Sequence, residues 1–96
     1  MKALIIKQLN SLLEFSEAAD PTAGKNEAIV SLRAAALNHR DLFITQGLYA
    51  GIKTPCVLGS DGAGEWRGNR VLLYPALEWG NNPNFQGKNF RVLGMP

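Results

Sequence analysis

The chain has 96 residues, 46% hydrophobic and 19% charged, a balance that fits one small globular domain with a single core. Ten basic against eight acidic residues leave a net charge of +2, and the basic residues are scattered from Lys2 to Arg91 without the stripe that nucleic-acid binding needs. One cysteine, Cys56, excludes an internal disulfide and a multi-cysteine zinc site, and no apolar run approaches the roughly 18 residues of a membrane helix. A reducing, cytoplasmic setting is expected, with neither nucleic acid nor membrane as partner. The first ten residues lack a signal-peptide cleavage pattern and read as a first strand.

Residues 3–6 (ALII) form a short apolar run between lysines, which predicts that strand. Residues 8–10 turn the chain back into a second strand over 11–17, where Leu13 and Phe15 share a face. Residues 18–26 carry Asp-Pro and Gly-Lys-Asn punctuation and are expected to form a loop. In residues 27–37, alternating Ala28, Val30, Leu32, Ala34 and Ala36 favour a strand, although alanine and leucine are good helix formers.

Asn38 opens a short helix and its side chain is expected to accept the Asp41 amide, with the Asp41 carboxylate near the positive end of the helix dipole. Leu37 and Leu42 occupy the positions of a hydrophobic staple, and Gly47 is suited to end the helix. Two turns cannot persist alone, and Leu42, Phe43 and Ile44 cannot share one side, so the helix is expected to be wedged between two surfaces. Residues 48–57 read as loop and 58–66 as a strand rich in small residues, open to close approach by another backbone. A turn at Arg67-Gly68-Asn69 leads into a strand over 70–74. Residues 75–96 are turn-rich, with Trp79, Phe85, Phe90 and Val92 as anchors, and finish on Gly94-Met95-Pro96, which is no closing element.

The run Gly59-Ser60-Asp61-Gly62-Ala63-Gly64 suggests a phosphate loop, but its G-x-x-G-x-G spacing differs from the dinucleotide fingerprint and no helical periodicity follows it. A packed glycine-rich strand is the better reading. His39 is the sole histidine, and one histidine with one cysteine gives no metal-ligand spacing. Cys56 reads as a buried small apolar residue. Trp66, Trp79, Tyr74 and the phenylalanines read as core or lobe anchors.

Taken in order, LNHRD at 37–41, GLYAGIKTPCVLGSDGAGE at 47–65 and G-N-R-V at 68–71 resemble the N-terminal catalytic domain of the medium-chain dehydrogenase/reductase superfamily. Within it they are most similar to the zinc-independent quinone oxidoreductase-like and alcohol dehydrogenase-like proteins. The resemblance implies a mainly β fold with one short helix, a GroES-like, partly open β-barrel without the Rossmann cofactor domain. Residues 1–96 would then be a single substrate-side domain, truncated before its cofactor domain and of marginal stability.

In zinc-dependent relatives the Asn38 position is a cysteine ligand, and Ser60 and Asp61 stand where they have histidine and glutamate, so no zinc is expected. The lobe with four cysteines found in those relatives has no counterpart in residues 75–96. The resemblance places Asn38, Asp41 and Tyr49 as catalytic-cleft residues, with Asn38 and Tyr49 also beside the nicotinamide. NADPH or NADH would supply hydride to a quinone or carbonyl substrate. The isolated chain is expected to be inactive and to bind the cofactor only weakly. Departures from the family are the short link at residues 65–67 and Asn69 in place of aspartate. The alternative is a non-enzymatic GroES-like module that binds a partner or self-associates through Phe43, Leu48 and Tyr49; a small nucleic-acid-binding barrel is a weaker third reading.

Overall fold

The computed structural model describes residues 1–94; Met95 and Pro96, within the predicted terminal run, lie outside the described residues. The elements follow as β1 (Lys2–Ile6), β2 (Glu14–Glu17), β3 (Ser31–Ala36), α1 (His39–Thr45), β4 (Cys56–Val57), β5 (Asp61–Trp66), β6 (Asn69–Leu72), β7 (Ala76–Leu77) and β8 (Arg91–Val92). They assemble into antiparallel sheets of order β2-β1-β4, β3-β5-β6 and β7-β8. The fold is mainly β with one short helix, and its strands do not close into a barrel among the described residues. Among the described residues, no helix is long and apolar enough to cross a membrane.

The first strand falls where the apolar run predicts it, but β2 starts only at Glu14. Leu13 reaches the edge of the core, whereas Phe15 is exposed. The strand expected over 27–37 is confined to Ser31–Ala36. Its alternation is broken by an irregularity at Arg33: Leu32 pairs with Gly64, but Ala34 pairs with Ala63. Paired residues share a face while neighbours on β5 do not, so the extra residue puts Leu32 and Ala34 on opposite faces. Residues 56–57, expected as loop, pair with β1 as β4, and the strand expected over 58–66 begins only at Asp61, residues 58–60 forming the link from β4 to β5. Arg67 and Gly68 both have positive φ, 48° and 77°, which suits the tight turn joining β5 to β6.

The core sits between the first sheet and α1. Ile6, Ile44 and Leu58 are buried there, with Leu9, Leu13, Tyr49, Ile52 and Cys56 packed around them. Burying Ile44 contributes about 1.5–3 kcal/mol, and this tertiary packing holds a helix too short to stand alone. The helix is not wedged between two surfaces: Ile44 and Asp41 turn inward, whereas Leu42 and Phe43 remain accessible. Leu37 and Leu42 are each 51% exposed, so the staple buries little.

The aromatic anchors also lie further out than expected. Trp66, Tyr74, Trp79 and Phe85 are exposed, although Trp79 meets Phe90 edge-on at 5.6 Å. The radius of gyration is 14.4 Å, against about 13 Å for an ordinary domain of this length. A thin core and exposed aromatic residues account for that expansion.

Candidate functional site

The site begins where β3 ends. Asn38 leaves the strand in an extended conformation and caps α1. Its main-chain N–H donates to Asp41 Oδ2 at 2.7 Å. The Asn38 side chain lies in capping-box position, but the Asp41 N–H bonds within normal geometry to the Asn38 main-chain carbonyl, at 3.0 Å. The side chain is thereby directed elsewhere, a departure from the expected cap.

Asp41 is 1% exposed, and its second oxygen, Oδ1, accepts the Gly59 N–H at 3.1 Å. One buried carboxylate therefore joins the start of α1 to the link between β4 and β5. A carboxylate held by two amides costs less to bury than a bare one, and the first helical turn also favours it. Both oxygens are occupied by main-chain amides, so Asp41 fixes positions and does not present an acceptor to an open surface.

The consequence appears two residues beyond Gly59. Asn38 Nδ2 donates to Asp61 Oδ2 at 2.9 Å, and both side chains are exposed. The amide has a second N–H, for which the described residues supply no partner. Ser60, between Gly59 and Asp61, is buried. Beside the pair, Ala34, Ala35, Ala36, Asp61, Gly62 and Ala63 line a shallow hollow of about 220 Å³. A carboxylate thus orients an amide donor at the rim of a small apolar surface.

Tyr49 lies beyond the C-terminal end of α1, half-buried against the Ile6–Ile44–Leu58 cluster. The seven-residue helix separates it from Asn38 by about 10 Å along the axis. Asn38 and Asp41 are therefore brought together, whereas Tyr49 belongs to the other end of the helix. The apolar patch expected around α1 reduces to Phe43 and Leu48, 40% and 67% exposed. His39 is exposed and stacks on Phe43, its ring centre 6.2 Å away. Burial pushes the Cys56 thiol up from its ordinary value, which makes it a poor nucleophile.

The donor set does not fit zinc: the Asn38 amide donates to Asp61, Ser60 offers a neutral hydroxyl, and among the described residues no three of His, Cys, Asp and Glu converge. The sequence does not reveal the roles of Gly59 and Asp61 in holding Asp41 and Asn38. The Gly-Ser-Asp run was visible, but nothing in the spacing reveals that it folds back onto Asn38.

Residues 24–81, more than half of the chain, match the alcohol dehydrogenase GroES-like domain. The chain is 34% identical over 98 aligned positions to a zinc-type alcohol dehydrogenase-like protein, YogA, of Leptosphaeria maculans, covering 85% of this chain and 27% of that protein. It is 42% identical over 65 residues to an acryloyl-coenzyme A reductase of Metallosphaera sedula, covering 68% of this chain and 20% of the relative. In three dimensions it resembles a crystal structure of an NAD-dependent alcohol dehydrogenase, with a TM-score of 0.81 and 27% identity over 99% of this chain and 34% of the other. The chain thus spans about a quarter of the length of these curated relatives.

Proposed function

Because the chain belongs to the alcohol dehydrogenase GroES-like domain family, the N-terminal domain of medium-chain dehydrogenase/reductases, we propose that residues 1–96 form the substrate-side wall of a nicotinamide-dependent, zinc-independent oxidoreductase. The observation that carries this reading is the exposed Asn38–Asp61 pair, 2.9 Å long, above the alanine-lined hollow. NADH or NADPH, when bound, supplies the hydride. Asn38 contributes its second amide N–H as a donor to the substrate oxygen on which negative charge develops. Asp61 keeps that amide from rotating, and Asp41 sets the backbone that carries it.

An amide donor selects substrates with an acceptor oxygen at the reacting centre. Quinones and carbonyl compounds meet that requirement, as does a conjugated thioester of the kind named for the Metallosphaera relative. Tyr49, at the far end of α1, would contact the cofactor or substrate beyond the ring that reaches Asn38. Asn38 and Ser60 at the positions discussed for zinc support the metal-free reading, whatever the name of the Leptosphaeria relative states of that protein. The expected setting remains cytoplasmic.

The test joins the chain to a nicotinamide-binding domain and follows NADPH or NADH oxidation against a quinone and aldehyde panel. Asn38→Ala is expected to lower kcat/KM at least about tenfold, the loss from removing roughly one hydrogen bond of 1.4 kcal/mol. Undiminished kcat/KM refutes the assignment. The 96-residue chain by itself is expected neither to turn over nor to bind NADPH below micromolar concentrations, and submicromolar binding by calorimetry refutes its assignment to the substrate side alone. The exposed Phe43 and Leu48 favour a second reading, a self-associating module; a concentration-independent monomer mass by light scattering counts against it.

A further inference from the structure

The polar pair joins the cap of α1, Asn38, to the first residue of β5, Asp61, and the same two segments are tied a second time through Gly59. Gly59 donates to Asp41 Oδ1 at 3.1 Å, which places the helix start, and it precedes Ser60 and Asp61 directly. Any displacement of this peptide therefore moves Asn38 and Asp61 relative to each other.

Gly94 lies against the backbone of the same residue, Gly59. It has φ +71°, and a Cβ there would overlap the Gly59 carbonyl oxygen while lying 2.7 Å from its carbonyl carbon and 3.0 Å from its nitrogen. These neighbours are backbone atoms, which cannot swing aside as a flexible side chain can. The segment carrying Gly94 is held from two directions. Leu93 N–H donates to the Pro75 carbonyl at 3.0 Å, continuing the β7–β8 pairing, and Arg40 Nη2 donates to the Leu93 carbonyl at 3.4 Å. Arg40 adjoins Asp41 on α1, and its Nε is buried without a partner among the described residues.

We infer that Gly94 is a positioning residue for the Asn38–Asp61 pair, acting through direct contact of its backbone with the Gly59 peptide. The absence of a side chain lets the end of the β7–β8 ribbon rest on the link between β4 and β5. Arg40 ties that ribbon to the helix whose start the same link controls. The site thus has a third support, remote in sequence from Asn38 and Asp61. Its functional meaning rests on the reading of Asn38 as the substrate-facing donor; the contact itself does not.

The experiment compares ¹⁵N spectra and amide exchange of the 96-residue chain with those of Gly94→Ala and Gly68→Ala. Gly68 also has positive φ, +77°, but open space around its Cβ position, so it reproduces the backbone strain without the contact. In Gly94→Ala the Gly59 amide is expected to exchange at least about tenfold faster, and the Asn38 side-chain NH₂ signals to shift, while in Gly68→Ala both stay unchanged. If the Gly94→Ala spectrum is unfolded, Arg40→Met provides the reading: loss of its donor to Leu93 is expected to move the same signals by a smaller amount. Unmoved Gly59 and Asn38 signals in the folded variants overturn the inference but not the assignment of Asn38. Undiminished turnover in Asn38→Ala overturns that assignment but not the contact.

Discussion

Replacing Asp41 with alanine tests the central joint of the structure. The residue is 1% exposed and accepts main-chain N–H groups from Asn38 at 2.7 Å and Gly59 at 3.1 Å. Removing it leaves two donors without their acceptor, each costing about 1–3 kcal/mol when water cannot replace the bond. Because both bonds are only partly buried, the lower half of that range applies, giving roughly 2–4 kcal/mol. Domain stabilities run from about 5 to 15 kcal/mol, and a core this thin belongs at the low end. With an m-value near 1–1.5 kcal/mol/M, the urea midpoint is expected to fall by about 2–3 M, enough to leave the variant barely folded. Asp41→Asn keeps one acceptor oxygen and turns an amide donor toward the other N–H, so about half that loss is expected. The assay is urea unfolding followed by circular dichroism and tryptophan fluorescence, and both signals must give the same midpoint. An Asp41→Ala midpoint within about 0.3 M of the parent refutes the joint, since that shift is below the cost of a single unsatisfied donor.

Gly64→Ala is expected to destabilise more than Gly62→Ala, by urea midpoint. A Cβ at Gly64 overlaps the Ser31 carbonyl and approaches the Leu32 Cα at 2.9 Å, whereas one at Gly62 meets only leucine side-chain ends of Leu32 and Leu73. Equal midpoints contradict that distinction. The Met1 amine is raised above its ordinary 8.0, chiefly by its hydrogen bond to Asp20 at 2.7 Å. Its contribution is complete below pH 8 and disappears as pH rises through the raised folded value. The same bond lowers Asp20, and the Lys2 hydrogen bond lowers Glu17, so their contributions hold above the ordinary carboxylate range and disappear as pH falls through the lowered values. N-terminal acetylation should therefore flatten the melting temperature against pH from 8 upward; an unaltered profile contradicts it. Iodoacetamide should modify Cys56 faster in urea than in buffer at pH 8, because burial raises the folded thiol; equal rates oppose this. A single cooperative thermal transition above about 65 °C would contradict the marginal stability expected of so thin a core.

Local chemistry was legible where neighbouring residues decide it. The apolar run before Lys7, the Asn38–Asp41 start of the helix, its end at Gly47 and the Arg67-Gly68 turn all appear where the residues place them. The ordered motifs from Leu37 to Val71 likewise identified the family. Alternation failed at Arg33 because one extra residue in a strand reverses every face after it, and no spacing rule marks where such a residue falls. Aromatic residues read as anchors proved exposed because burial depends on a facing surface, which the described chain does not supply for Tyr74 or Phe85.

The sequence alone determined which residue types the site contains, an amide at Asn38, a hydroxyl at Ser60 and carboxylates at Asp41 and Asp61. Tertiary structure alone decided that Asn38 turns to Asp61, that Asp41 is spent on two amides, and that Gly94 bears on Gly59. These pairings span 23, 18 and 35 residues of chain, by subtraction of their numbers. Contacts of that separation form only when strand pairing and the Ile6–Ile44–Leu58 core bring distant segments together. No local propensity encodes them.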